Sequence, residues 1–288
     1  MNFPCRCVLL LCLLIIPASA QILIPAVFED TLPPNGTANE TKHLHLPAHV
    51  TPTKADILFA IDLTGSMSSA LSSVRTNSLA IMEQIRAIIP DTRFGIVTHR
   101  DYPGTYNSCG YSGSYGSSGD YPYRRDLALT DNPTLITTTL NSLSVGGGSD
   151  GPESYTRVFY ETYSDSSLGW RPGSKRFVLF WADNIPHDCN VYLDCGLSSL
   201  STGVDPGRDA EAGTEDDLDL ENVLSSMAEN NITLIGFQYN SSYHSAWQCY
   251  AQKTGGNAYK SNEIPSDLAS FIADKLKEKI KQIDTLKI

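Results

Sequence analysis

Two apolar rhythms alternate along this chain. Short, nearly continuous apolar runs at 55–61, 92–99, 176–182 (RFVLFWA) and 232–239 (ITLIGFQY) read as strands covered on both faces. Between them lie stretches with apolar residues at helical spacing. Leu71, Val74, Ile81, Met82, Ile85, Ile88 and Ile89 form the first, and Pro90 stops it. Further helices are expected over 133–143, from Ser154 through Tyr163, over 218–229 and over 246–253, the last ended by Gly255-Gly256. A final helix runs from Ser266 to Ile283, with Leu268, Phe271, Ile272, Leu276, Ile280 and Ile283 as its buried stripe. Residues 125–130 read as a short strand returning at an edge, and 257–259 as a last short strand. Strand, helix, strand in this order predicts an α/β fold: a Rossmann-like open, mostly parallel sheet with helices on both faces and one antiparallel edge strand.

Two stretches break the rhythm. Residues 102–123 are rich in Gly, Ser and Tyr and contain Cys109; a loop of that length inside a compact domain is more often functional than decorative. Residues 205–221 carry eight acids, Asp205, Asp209, Glu211, Glu215, Asp216, Asp217, Asp219 and Glu221, against the single Arg208. They read either as a solvated loop feeding the N-terminal turn of a helix, where carboxylates suit the dipole, or as a Ca²⁺ site.

The chemistry concentrates where the first strand ends. Asp62, Thr64 and Ser66 alternate, so their side chains can converge, and Gly65 lets the turn close. One carboxylate and two hydroxyls begin an all-oxygen shell for Mg²⁺, Mn²⁺ or Ca²⁺. The plainer alternative is that Asp62 and Ser66 only cap the next helix. A glycine run, 146–148, leads to Asp150 and Glu153 on a tight loop without the Gly-Lys-Ser/Thr of a phosphate cradle. Asp183 ends the 176–182 strand as Asp62 ends the first, and open α/β sheets build their sites at such ends.

Composition narrows the setting. The chain has 288 residues, 41% of them hydrophobic, enough for one large domain with tails. Residues 1–20 have the charged start, apolar run and small-residue cleavage pattern of a signal peptide; 21–53 form an extended polar arm; the domain is expected over 54–284. No apolar stretch is long enough to span a bilayer, and the Lys-rich tail is not a lipid-anchor signal, so the reading is a secreted, extracellular protein. A net charge of −11 disfavours nucleic acid and anionic membranes as partners and suits cations. Of seven cysteines, Cys109, Cys189, Cys195 and Cys249 lie beyond the leader and favour two disulfides. The short interval between Cys189 and Cys195 suggests that they pair, leaving Cys109 with Cys249. Sequons stand at Asn35, Asn39, Asn231 and Asn240. Catalysis finds little support: position 64 is Thr where a haloacid-dehalogenase-type phosphatase needs an acid, there is no Gly-x-Ser-x-Gly elbow, and His99, His187 and His244 are scattered and read as surface or capping residues.

Asp62-Leu63-Thr64-Gly65-Ser66, Asp150-Gly151-Pro152-Glu153 and Asp183, in that order, resemble the von Willebrand factor type A (VWA) domain over about 54–283, and most closely the I-like domain of integrin β subunits. The resemblance implies a metal-ion-dependent adhesion site with Asp62, Thr64, Ser66 and Glu153 around Mg²⁺ or Mn²⁺, Asp183 supporting the shell and Asp150 beside it. It also implies a specificity loop at 102–123, a last helix that shifts on ligand engagement, and a protein partner that offers a carboxylate. The chain departs from integrin β where paired Asp residues would hold an adjacent calcium, having Ser68, Ser69 and Ala70, and where an Asn would precede Asp150, having Gly148 nearby. One metal site is therefore carried over. The alternatives are a metal-independent interaction scaffold or a phosphatase-like hydrolase.

Overall fold

The computed structural model describes residues 22–24, 37, 43–45, 54–191, 195, 201–263 and 267–283. The chain separates into two compact units, 1–50 and 51–288. In the first, β1 (Ile22–Ile24) pairs antiparallel with β2 (His43–His45). The expected leader and the sequons at Asn35 and Asn39 lie outside the described residues.

The second unit is built on a six-stranded sheet. Its members in chain order are β3 (Lys54–Asp62), β4 (Asp91–His99), β7 (Arg124–Thr130), β8 (Lys175–Ala182), β9 (Ile232–Gln238) and β10 (Asn257–Lys260), arranged β10-β9-β8-β3-β4-β7. All neighbours are parallel except β7, which returns antiparallel along β4, the edge strand expected from 125–130. A separate hairpin, β5 (Gly104–Ser108) and β6 (Tyr111–Gly116), occupies the 102–123 stretch, so that stretch is an ordered hairpin and not an unstructured insertion.

Alternation along β3 explains the layers. Ile57, Phe59 and Ile61 join one cluster with Leu71, Val74, Met82 and Ile85 of α1 (Ser68–Ile88), Ile136 and Leu140 of α2 (Pro133–Ser142), and Leu268, Ile272 and Leu276 of α6 (Leu268–Ile283). Leu58 and Ala60 join the other, with Tyr155, Val158 and Phe159 of α3 (Tyr155–Ser164), Val223, Leu224 and Met227 of α4 (Leu220–Glu229), and Trp247 and Tyr250 of α5 (His244–Lys253). Such two-sided burial is what the continuous apolar runs require.

Register sets the site. Asp62 lies opposite His99, Ile61 opposite Trp181, and Ala182 opposite Gln238. The carboxyl ends of β3, β4, β8 and β9 thus finish on one edge of the sheet, with Asp183 one residue beyond β8 and Arg100 and Asp101 just beyond β4.

The disulfides differ from the expected pairing. Cys109 joins Cys189 and Cys195 joins Cys249, with Cα separations of 5.5 and 5.7 Å. The first ties the hairpin turn to the loop after β8, the second ties that loop to α5. Cys189 and Cys195 are near in sequence, but each is used to fasten the same loop to a different neighbour.

Candidate metal centre

Three loops converge at the strand ends. Asp62 is fully buried, and both its oxygens are engaged: Oδ1 accepts from the Thr64 amide at 2.7 Å and from Thr64 Oγ1 at 2.6 Å, and Oδ2 accepts from the Tyr155 hydroxyl at 2.6 Å. Thr64 Oγ1 lies 3.5 Å from Ser66 Oγ, and Ser66 is hydrogen-bonded to Asp183. None of these side chains caps a helix. The 3₁₀ turn Gly65–Met67 and α1 both begin without a side-chain cap, so the capping alternative for Asp62 and Ser66 does not hold.

Glu153 arrives from the second loop. Gly146, Gly147 and Gly148 all have positive φ, and Gly148 passes so close that a Cβ there would lie 3.2 Å from Thr64 Cγ2 and 3.5 Å from Glu153 Oε1. The Glu153 amide donates to Ile185 O at 2.9 Å and its carbonyl accepts from the His187 amide at 2.9 Å, which fixes the second loop against the loop after β8. Asp62, Thr64, Ser66 and Asp183 are thus linked to one another, and Glu153 stands close enough to be repelled by Asp62 and Asp183. Among the described residues the carboxylates of Asp62, Glu153 and Asp183 do not themselves gather within 4.8 Å, and Asp150 shares the loop of Glu153.

The electrostatics of this gathering are unbalanced. Burial, opposed by its three hydrogen bonds, pushes the Asp62 carboxyl up to about 6. Burial, then repulsion from Asp62, Asp101, Asp183 and Asp150, holds Glu153 well above the carboxylate range. Asp183 is raised by burial and by Asp62, against the Ser66 hydrogen bond. Among the described residues, no Arg or Lys forms an ion pair with Asp62, Glu153 or Asp183. Asp56, equally buried at the other end of β3, shows the contrast: Arg171 Nε donates to it at 2.7 Å and Ser174 Oγ at 2.8 Å. Among the described residues, an arginine neutralises the buried acid at one end of the strand, and no Arg or Lys pairs with Asp62 at the other.

Glu153 Oε2 is buried without a hydrogen-bond partner. Such an acceptor costs about 1–3 kcal/mol if nothing meets it. An all-oxygen donor set, an orphaned carboxylate oxygen and crowded acids fit a hard divalent cation, which these residues could hold.

Sequence reasoning missed four residues here. Tyr155 is fully buried; besides donating to Asp62 it accepts from the Asp183 and Asn184 amides at 3.4 and 3.3 Å, clasping the first loop to the third. Asp101 and His187 are also fully buried, with Asp101 Oδ2 3.2 Å and Asp150 Oδ1 4.0 Å from His187 Nε2. Asp101, Asp150 and His187 offer ligand atoms within 4.8 Å of one another, a second place where a cation could sit. Burial disfavours charge on His187, but Asp101 and the Thr202 carbonyl outweigh it and raise the imidazole above its ordinary range. His99 is buried as well, and burial lowers it to about 3. Neither histidine is the surface or capping residue expected. The signals were faint: Asp101 stands two residues past a strand end, and His187 four past Asp183. The fourth, Asp120, is described below.

The 102–123 stretch leans on this edge. Tyr111 donates to Asp150 Oδ2 at 2.7 Å, Tyr115 stacks on the His187 ring with centroids 3.4 Å apart, and the Ser149 amide donates to Tyr115 O at 2.9 Å.

The acidic segment is different. Asp205 accepts from the Tyr102 hydroxyl at 2.6 Å and the Arg157 amide at 2.9 Å; Asp216 accepts from the Arg208 and Asp209 amides and from Thr214 Oγ1; Asp217 accepts from the Gly213 amide; Asp219 caps α4 through the Asn222 amide. Among the described residues, no three of its acids converge as metal ligands do. Apart from the fully buried Asp205, the segment matches the solvated-loop alternative.

A family profile described as the integrin beta chain VWA domain matches residues 51–206. The chain belongs to the integrin beta chain VWA domain family. Mouse (Mus musculus) integrin beta-5 is 25% identical over 199 residues, covering 62% of this chain and 25% of the integrin. The alpha-protein kinase vwkA of Dictyostelium discoideum is 26% identical over 153 residues, covering 52% of this chain and 21% of the kinase. This chain thus spans a quarter or less of those two relatives. Among solved structures, the SpRpn10 VWA domain aligns at TM-score 0.44 and 12% identity over 81% of this chain and 99% of its own, and BatB from Bacteroides thetaiotaomicron at 0.47 and 10% over 79% and 99%. A VWA domain of the integrin beta kind is a protein-interaction module. In this one, the first turn of α1 carries exposed Ser68 and Ser69, and Gly148 contributes no side chain beside Asp150.

Proposed function

We propose that this chain is a secreted, divalent-cation-dependent binding module that recognises an acidic group on a protein partner, and not an enzyme. The observation that carries the reading is Glu153 Oε2, a buried carboxylate oxygen with no partner, set among acids with which no Arg or Lys among the described residues forms an ion pair. Thr64, Ser66 and Glu153 would hold Mg²⁺ or Mn²⁺, with Asp62 and Asp183 fixing the two hydroxyls. Thr64 is held by Asp62 Oδ1 and Ser66 by Asp183, so the hydroxyl oxygens are turned to one side before any ion arrives. Neutral hydroxyl ligands leave a bound ion electrophilic, able to exchange a water for an incoming carboxylate. The Tyr-rich hairpin beside the site offers rigid amphipathic side chains for the rest of the contact. Paired cysteines and the leader-like start support an extracellular setting, in which Asn231 and Asn240 are candidate glycosylation positions.

Isothermal titration with Mg²⁺, Mn²⁺ and Ca²⁺, on wild type and Asp62→Ala, tests the ion; capture of partners from extracellular material with and without EDTA tests the ligand. Cation-dependent capture lost in Asp62→Ala is expected. A partner that bound Asp62→Ala in EDTA as tightly as wild type would favour the metal-independent scaffold, and turnover of a phosphate ester would favour the hydrolase.

A further inference from the structure

Asp120 lies in the return from the hairpin to β7, inside the 102–123 stretch but not among the residues singled out there from the sequence. Its carboxylate is nearly buried and points into the glycine run: Oδ2 accepts from the Gly148 amide at 3.0 Å and from the Ser117 amide at 2.7 Å. Oδ1 occupies space that only glycine leaves free, since a Cβ on Gly147 would fall 1.8 Å from it. Arg100, half-buried beyond β4, lies 3.7 Å away and donates to Ser144 O at 3.2 Å. Gly148 in turn runs beside Thr64 and Glu153, since a Cβ there would lie 3.2 Å from Thr64 Cγ2 and 3.5 Å from Glu153 Oε1. One carboxylate therefore joins the end of the hairpin segment to the loop that carries Glu153.

We infer that Asp120 is a positioning residue for the cation site: it holds the glycine run in its left-handed course, and so sets how far Glu153 stands from Thr64. This rests on the metal-binding reading above. It makes the hairpin and the cation site one mechanical unit. Whatever moves the hairpin segment moves the Gly148 amide with it, and a partner that grips the hairpin changes cation affinity by the same factor that the cation changes partner affinity.

The test separates the acceptor role from charge and from folding. Mn²⁺ affinity by calorimetry, metal-free melting temperature, and amide hydrogen exchange over 146–150 are measured for wild type, Asp120→Ala, Asp120→Asn and Arg100→Ala. Asp120→Ala should weaken Mn²⁺ about tenfold, the order expected when one buried charge-assisted hydrogen bond is lost, and should speed exchange at 146–150. Asp120→Asn keeps an oxygen for both amides and should stay within about threefold of wild type; Arg100→Ala should do the same, since it removes only a long ion pair. Mn²⁺ affinity unchanged in Asp120→Ala, with wild type binding, overturns this inference alone. Equal losses in the Asn and Ala variants overturn it too, because a conserved acceptor would then be irrelevant. No Mn²⁺ binding by wild type removes the metal-site reading, and this inference with it.

Discussion

Two regions of this protein are crowded with carboxylates, and they use them in opposite ways. Along 205–221 most acids are taken up by amide donors: Asp205 accepts from the Gly207 amide and, from α3, the Arg157 amide, and Asp216, Asp217 and Asp219 each accept from amides of the segment or of α4. Arg208 reaches across to Glu161 at 2.8 Å, although Asp217 Oδ1 is left buried without a partner. At the strand ends, Glu153 keeps an oxygen unmet, Asp183 has only Ser66 and the local backbone, and three loops press their charges together. An unmet oxygen occurs in both regions, at Asp217 Oδ1 and at Glu153 Oε2; what sets the strand ends apart is that acids from separate loops repel one another there, and charge density in the sequence does not measure that.

The contrast can be broken most directly at Asp62. Asp62→Ala should abolish cation-dependent stabilisation, which for wild type at a hundredfold excess over Kd amounts to about 2.7 kcal/mol. Thermal melts with and without 5–10 mM Mg²⁺ (about that range) read it. A variant that gained as much stability from Mg²⁺ as wild type would place the ion elsewhere.

Next in size is the pH response of the metal-free protein. Asp62 and Asp150 are raised to about 6 and Asp205 to about 7, all chiefly by burial. A carboxyl whose folded value is above its unfolded value binds its proton more tightly when folded, so stability falls as pH rises between the two values. The metal-free melting temperature should accordingly drop from pH 4.5 to pH 7 (roughly the window between those values), with Asp62 contributing up to about 2–3 kcal/mol. Buried His99, lowered to about 3, acts in the opposite sense up to its ordinary value, and the several raised acids together outweigh it. Saturating Mg²⁺ should flatten or reverse the slope, because a bound cation displaces the proton from Glu153 and, through its charge, favours the ionised form of neighbouring Asp62. A metal-free melting temperature that climbed across this window would contradict the crowding.

Glu153→Gln sharpens the comparison further. It keeps an oxygen while removing a charge, so cation affinity should fall about tenfold, worth about 1.4 kcal/mol. Metal-free stability should rise, since a repelled acid is gone. Stability and affinity falling together would mean that Glu153 is a structural acid like those of 205–221.

The smallest effect belongs to the acidic segment itself. Asp219→Ala removes the α4 cap and should cost about 1 kcal/mol by denaturant titration. Mg²⁺ affinity should not change. A cation-affinity loss here would support the Ca²⁺ reading of that stretch.

The sequence by itself did not show the β1–β2 pair or the β5–β6 hairpin, but it determined the six strands of the main sheet, the helices and the end of the sheet that carries the site. Those follow from short-range rules: apolar runs demand two covered faces, Pro90 and Gly255-Gly256 stop helices, and Asp62, Thr64 and Ser66 share a side because alternate residues do. Only the tertiary structure decided which groups meet across long intervals. Cys189 pairs with Cys109, eighty residues away, and not with nearby Cys195, because a loop's partners are set by what packs on it. Asp101, His187, Tyr155 and Asp120 became part of the site by the same route, through parallel register and the fold-back of a hairpin. Whether a carboxylate is spent or unspent also belongs to that level. A side chain's type says that it can accept a hydrogen bond, while only the packed chain says whether a donor has arrived.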